Sequence, residues 1–372
     1  MGRPPLLVFY VSAGGGHRAA ALALQEAARA RGLDVELVDA LSLGPKWYAK
    51  AYVETHLLGS GYAPALYGGA FALSNRPDPV RDQLRSALDP SLGKELRDFV
   101  LARNPSAVVC THFNPLVALG RMRLEGALGA PVVAVVTDYV AHAVWSAPGV
   151  DLYCAPPGRA PRDLARHGLH GARVAETGIP VRPAFGRAAP FAGPGPGEPL
   201  SVLLTSGGFG VGPVRDVLRG LRRVPDLAVD VVCGNRPNLV RRARRYAARR
   251  GLNAVVDGFV DDMPARLQRA HVVVGKPGGL TMSECLAAGR PLVAVGTCPG
   301  QEAGNEEALV EWGAGVGCDA RDVGAELARL RAEGLLAPMA ARARARGRPN
   351  AAGDILEAID ALRPSRAAGR AA

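Results

Sequence analysis

The chain reads as an α/β protein of two Rossmann-like domains that face each other across a cleft. Three observations predict this. Short apolar runs alternate with alanine-rich or amphipathic segments, the pattern of parallel strands joined by crossover helices. At 372 residues the chain is longer than one core usually grows. Two glycine-rich turns, SAGGGH (12–17) and TSGGFGVG (205–212), each follow the opening strand of one half.

The strand-like runs are LLVFYV (6–11), VELVDA (35–40), AVVC (107–110), VVAVVTD (132–138), SVLLTS (201–206), AVDVVC (228–233), HVVVG (271–275) and PLVAVG (291–296). Helical segments between them include 17–31, 214–223, 238–250 and 280–288. GRAAPFAGPGPGEP (186–199) is too dense in proline and glycine for either element and reads as a linker. The expected domains are therefore 1–190 and 197–350. A C-terminal helix and frayed tail follow over 351–372, with DILEAIDAL (354–362) as the amphipathic part.

Composition excludes several classes. No run of about 18 apolar residues is present, so no spanning helix is expected, and the N-terminus lacks a signal-peptide pattern. Six cysteines are scattered without a CxxC pair, which argues for reduced thiols in the cytosol and against a disulfide framework or a zinc site. The net charge of +11 invites a nucleic-acid reading. However, arginine replaces lysine nearly everywhere and only Lys46, Lys50, Lys94 and Lys276 remain. That habit of composition weakens the inference, and no nucleic-acid partner is expected.

Two of those lysines lie in KWYAKAYVETHLLGSGYAPALYGGAF (46–71), which holds six of the nineteen aromatics, among them Trp47, Tyr48 and Tyr52. Trp and Tyr favour the bilayer interface and lysine heads reach anionic headgroups. The plain alternative is a helix that packs its aromatics inward. Arginines 241, 242, 244, 245, 249 and 250 read either as a further attraction to an anionic membrane surface or as a solvated helix face.

Three turns of the second half suit a phosphorylated ligand. In TSGGFGVG, Gly207, Gly208 and Gly210 let backbone N–H groups approach phosphate oxygens at a helix start. In GKPGGLTMSE (275–284), Lys276, Gly278, Gly279 and Thr281 suit a diphosphate, and Glu284 is placed to accept from a ribose diol. Thr281 as a cap and Glu284 as a first-turn charge are the plain alternative. In PGQEAGNEE (299–307), Gln301, Glu302 and Asn305 offer donors and acceptors suited to sugar hydroxyls, against a solvated acidic loop. In the first half, SAGGGH brings Gly15 and Gly16 to His17. THFNP (111–115) and VTDYVAH (136–142) end apolar strands with His112, Asp138 and His142.

The stretch 258–315, from GFVDDM through GKPGGLTMSECLAAGRPLVAVGTCPGQEAGNEEALVEWGAG, resembles the donor half of lipid-glycosylating GT-B glycosyltransferases. The pattern is similar to that of monogalactosyldiacylglycerol synthases and processive diacylglycerol glucosyltransferases. SGGFGVGP, VTDYVAHAVWSAPGVDLYCAPPG, ETGIPVRPAF and SAGGGHRAA extend the resemblance over most of 6–315. It implies that Glu284 binds a uridine ribose, that Thr281 and the Gly207–Gly208–Gly210 turn face a diphosphate, and that Gln301, Glu302 and Asn305 grip the sugar. Phe259 and its neighbours form part of a uracil cradle, and 46–71 docks on the membrane and guides the acceptor. Phe209 stands where some relatives carry a polar residue, so no side-chain help to phosphate is expected there.

The implied reaction is an inverting transfer of glucose or galactose from a UDP-hexose to a membrane lipid, diacylglycerol first. It needs no metal and no cofactor, since helix N-termini and backbone amides serve the leaving group. His17 leads as base or acceptor-positioning residue, with Asp138 sharing the work. The expected location is cytoplasmic, peripheral on the inner face of the cell membrane. Rival readings are another hydrophobic acceptor, such as a polyprenyl carrier or small metabolite, a nucleotide-sugar epimerase, and a membrane-associated UDP-sugar sensor. A dehydrogenase fits least, because neither glycine turn is a full GxGxxG with an acidic residue about 20 positions on.

Overall fold

The computed structural model describes residues 4–12, 14–62, 64–75, 93–169, 173–222 and 224–362, with the side chains of 55–67 and 70 left aside. The first sheet contains β1 (Leu6–Tyr10), β2 (Val35–Asp39), β3 (Ala107–Cys110), β4 (Val132–Val135), β5 (Leu152–Ala155) and β6 (Arg173–Glu176). The second contains β7 (Leu200–Thr205), β8 (Leu227–Val232), β9 (Ala254–Asp257), β10 (Val272–Gly275), β11 (Leu292–Ala294) and β12 (Gly315–Gly317). Every pairing is parallel.

All eight apolar runs form strands. Four further strands carried weaker signals. β6 and β9 are sheet edges with mixed, partly exposed residues, β12 is three residues with two glycines, and β5 is a short run hemmed by turns. The edge strands β6 and β9 carry exposed positions and so write no continuous buried run.

Strand order places the glycine-rich turns. The first sheet runs β2-β1-β3-β4-β5-β6, so the chain leaves β1 to one side and returns at β3 on the other. The second runs β12-β11-β10-β7-β8-β9, with the same reversal between β7 and β10. Crevices open at such switch points, beyond the carboxyl ends of the strands. SAGGGH follows β1 and THFNP follows β3; TSGGFG follows β7 and GKPGG follows β10.

Helices α1 (Gly15–Ala30), α2 (Lys46–Tyr62), α3 (Pro64–Ser74), α4 (Gly93–Arg103), α5 (Leu116–Leu124) and α6 (Arg159–Arg166) belong to the first half. The second half carries α7 (Val214–Leu221), α8 (Pro237–Arg250), α9 (Met263–Arg269), α10 (Gly279–Ala288), α11 (Gln301–Glu311), α12 (Val323–Ala332) and α13 (Leu336–Arg346). The last described helix, α14 (Ala351–Asp360), crosses back to the first sheet. There Ile355, Leu356 and Ile359 join Leu6, Val8, Ala21 and Leu24 in one apolar cluster. Arg31 fastens this helix by donating to Gly353 O at 3.1 Å and to Glu357 at 3.0 Å.

The two halves are packed together. Tyr139, Ile179, Val181 and Phe185 share a core with Leu280, Met282 and Leu286. The expected linker is anchored on the second half, where Arg344 donates to Ala188 O at 2.7 Å and Arg290 to Ala189 O at 3.4 Å.

Candidate active site in the interdomain cleft

His17 lies in the first turn of α1. The chain enters that helix through Gly14 at φ +119°, a conformation L side chains rarely adopt, which is the local need for glycine here. His17 Nδ1 stands 2.8 Å from the Thr111 carbonyl oxygen. A carbonyl only accepts, so a ring proton sits on Nδ1; whenever the imidazole is neutral, its lone pair is therefore on Nε2. Thr137 Oγ1 lies 3.1 Å from the same Nδ1, and Thr111 Oγ1 donates back to His17 O at 2.9 Å. His112 meets the His17 ring edge-on at 4.5 Å. The ends of β3 and β4 thus fix both the tautomer and the ring plane.

Asp138 follows Thr137 and faces the second domain. Its Oδ1 accepts from Asn305 Nδ2 at 3.0 Å, and the Gly279 N–H also donates to the carboxyl. Burial, helped by the charge of Glu302, pushes the carboxyl up to about 7 against those two donors. Asn305 Nδ2 also donates to Pro277 O at 3.0 Å, while its Oδ1 accepts from Tyr139 N at 2.7 Å. The residue is wholly buried. Expected at the sugar, Asn305 has both ends of its amide engaged by protein, because the 137–140 segment inserts against it.

The β7 turn and the start of α10 meet the first domain directly. A Cβ on Gly15 would stand 3.4 Å from the Gly208 Cα, and one on Gly16 would lie 3.6 Å from the Leu280 side chain. Gly278, the residue before α10, has no side chain to cap that helix. Lys276 Nζ pairs with Glu302 Oε2 at 3.0 Å, and that oxygen accepts from Cys298 N at 2.8 Å. Thr281 is half-buried in the first turn of α10, with Glu284 one turn in. Burial pushes the Glu284 carboxyl up to about 8, with Arg182 pulling the other way. Gln301 opens α11, Gly207 and Gly210 hold positive φ in the β7 turn, and the Phe259 ring is exposed.

On α2, Lys46, Trp47 and Lys50 face outward, and Trp47 is 70% exposed. Tyr48 and Tyr52 pack inward on the first core, so the segment divides between the two readings given to it. The rings form a ladder from surface to site: Trp47 to Tyr48 at 6.0 Å, Tyr48 to Tyr52 at 6.0 Å, and Tyr52 to His112 at 6.2 Å. The side chains of Tyr62 and Tyr67 lie outside the described residues. Phe71 of α3 packs on His142 at 4.4 Å and against Gly300, the residue before α11. His142 accepts from Val144 N through Nδ1 and donates from Nε2 to Phe71 O at 3.0 Å, a structural post for α3. Among the described residues no helix is long and apolar enough to cross a membrane.

Thr111, Thr137, Tyr139 and Ser283 were not singled out by the sequence. Thr111, Thr137 and Tyr139 gave only the signal of a hydroxyl placed where an apolar run ends, and Ser283, inside α10, gave none. Tyr139 Oη lies 2.8 Å from Ser283 Oγ, across the domain boundary. In VDDM (260–263), Asp262 accepts from Arg266 at 2.9 Å, and Arg266 also holds Asp230 and Asp257. Between α7, α8 and α12 lies a groove of about 1080 Å³, where eight of the twenty described lining residues are arginines.

Comparison with known proteins agrees with this layout. The family model for monogalactosyldiacylglycerol synthase matches residues 17–181, and that for the glycosyltransferase family 28 C-terminal domain matches 214–357. A probable chloroplastic monogalactosyldiacylglycerol synthase 2 of Oryza sativa subsp. japonica is 30% identical over 349 residues, covering 87% of this chain and 73% of the relative. A processive diacylglycerol beta-glucosyltransferase of Bacillus cytotoxicus is 25% identical over 318 residues, covering 82% and 79%. The crystal structure of MurG from Acinetobacter baumannii superposes with a TM-score of 0.64 at 16% identity, covering 96% of this chain and all of that one.

Proposed function

The chain belongs to the monogalactosyldiacylglycerol synthase family of GT-B glycosyltransferases, and we propose that it moves glucose or galactose from a UDP-sugar to the hydroxyl of diacylglycerol, inverting the anomeric carbon. One observation supports this reading above the rest. The turn that carries His17 approaches Gly208 and Leu280 of the second domain through Gly15 and Gly16, while Asp138 meets Gly279 and Asn305.

In the proposed displacement, His17 Nε2 takes the acceptor proton while the oxygen attacks the sugar from the face opposite the leaving diphosphate. The ionised Asp138 stabilises the positive charge that builds on the sugar. The α10 N-terminus, the Gly207–Gly208 amides and Lys276 receive the departing UDP, so the proposed chemistry uses no metal. Glu302 and Gln301 hold sugar hydroxyls, and Glu284 takes the ribose.

The acceptor reaches the site along α2 from the inner face of the membrane, where Trp47, Lys46 and Lys50 dock. The arginine-lined groove of the second domain adds attraction to an anionic surface.

The test is incubation with labelled UDP-glucose and UDP-galactose over diacylglycerol-containing vesicles, with and without chelator, followed by product analysis. A single-anomer hexosyl-diacylglycerol formed in chelator supports the proposal. Transfer only to a polyprenyl carrier or small metabolite, release of an epimer, or tight UDP binding without turnover each overturns it.

A further inference from the structure

Asn305 stands on α11 of the second domain, yet two of its three hydrogen bonds cross to the first. Its neighbours are shaped for the same contact. A Cβ on Gly304 would fall 2.5 Å from Val140 Cγ1, and one on Gly279 only 1.9 Å from Thr137 O. Tyr139 is buried among second-domain residues and meets the Trp312 ring edge-on at 5.2 Å. Residues 137–140 therefore form a plug of the first domain seated between the starts of α10 and α11. Asn305 reads that plug through its backbone at Tyr139 and its side chain at Asp138.

We propose that Asn305 is a positioning residue that holds Asp138 in its working place only while the two domains are closed. The proposal deepens the functional reading above and rests on its use of Asp138. Sugar hydroxyls meet Gln301 and Glu302 instead, because Asn305 has no exposed surface to offer. Opening the cleft withdraws both donors of the Asp138 carboxylate together, Asn305 Nδ2 and Gly279 N–H. The charged groups around that carboxyl are Glu302 and, paired to it, Lys276; His17 is held beside the adjacent Thr137.

The test compares Asn305→Ala, Asn305→Asp, Asp138→Asn and the double variant Asp138→Asn/Asn305→Ala in transfer assays over pH 5–9. UDP binding and thermal melting report on folding. Asn305→Ala is expected to lower kcat roughly 10- to 100-fold, with the donor KM within about twofold of wild type. Asn305→Asp keeps an acceptor for Tyr139 N but replaces the donor to Asp138 with a second carboxyl. It is expected to move the acid limb of kcat upward by about one pH unit or more. It carries the test if the alanine variant does not fold. The double variant is expected to be no slower than Asp138→Asn alone, since both changes remove one function.

A donor KM raised about tenfold, with kcat and the acid limb unmoved, makes Asn305 a sugar ligand and overturns the proposal. Additive losses in the double variant overturn it as well. If Asp138→Asn itself keeps wild-type turnover and acid limb, the use of Asp138 fails and the proposal with it. If Asp138→Asn loses that limb while both Asn305 variants keep it, only the proposal fails.

Discussion

A Cβ on Gly279 would stand 1.9 Å from the carbonyl oxygen of Thr137: at this point the two domains meet backbone to backbone. No side chain fits between the start of α10 and the strand end that carries Asp138. Gly279→Ala is therefore expected to wedge the cleft open and cost roughly 100-fold in transfer rate, as misplacements of about an ångström do. Gly278 has nothing within 4 Å of its own Cβ position and an ordinary φ of −65°, so Gly278→Ala is the control. Equal activity of the two variants would contradict a closed working state.

His17→Ala removes the Nε2 lone pair while leaving the donor turns intact. Turnover is expected to fall roughly 10²- to 10⁴-fold, the range a positioned base contributes. UDP affinity, measured by calorimetry, is expected to stay within about threefold. Thr137→Val removes only the second contact to Nδ1 and should cost much less. Wild-type turnover in His17→Ala would remove the imidazole from the reaction.

Glu284 gives a pH dependence of opposite sense to an ordinary surface carboxylate. Its proton is held up to about 8, while the same group in an unfolded chain ionises near 4.5. Between those values the folded state binds the extra proton, so this site lowers stability as pH rises. A ribose diol donating two hydrogen bonds favours the ionised form. UDP binding at pH 7 should therefore release protons and tighten toward pH 8. Glu284→Ala is expected to weaken UDP roughly 10- to 100-fold and abolish that release. Calorimetry in two buffers of different ionisation heat decides it, and binding with no proton release in the wild type would place the ribose elsewhere.

Lys46, Trp47 and Lys50 share the outer face of α2. Reversing both lysines to glutamate should weaken sedimentation with anionic vesicles about tenfold or more, at roughly 1 kcal/mol per basic group. Trp47→Ala should weaken it on neutral vesicles as well. UDP binding should not change in either variant. Unaltered vesicle partitioning would mean that another face meets the lipid.

Much of this was legible in the residues. Buried strands wrote continuous apolar runs, and the glycine turns marked the two switch points, where Gly14, Gly207 and Gly210 hold positive φ and Gly15 approaches Gly208. The roles of Thr111, Thr137 and Asn305 were not legible. Each depends on a partner 94, 120 or 167 positions away, a relation that no local pattern encodes. The division of α2 was only half visible: aromatic density announced a special segment. Which rings face water followed from where Tyr48 and Tyr52 find a core to enter.

The return of α14 to the first sheet has a consequence for how the molecule is made. Leu6, Val8, Ala21 and Leu24 emerge from the ribosome early, yet Ile355, Leu356 and Ile359 cover them only after the entire second domain has been synthesised. The first domain therefore waits, with an apolar surface uncapped, while its successor folds. Nascent chains that stop short of residue 351 would carry a finished second domain attached to a first domain that is open to aggregation.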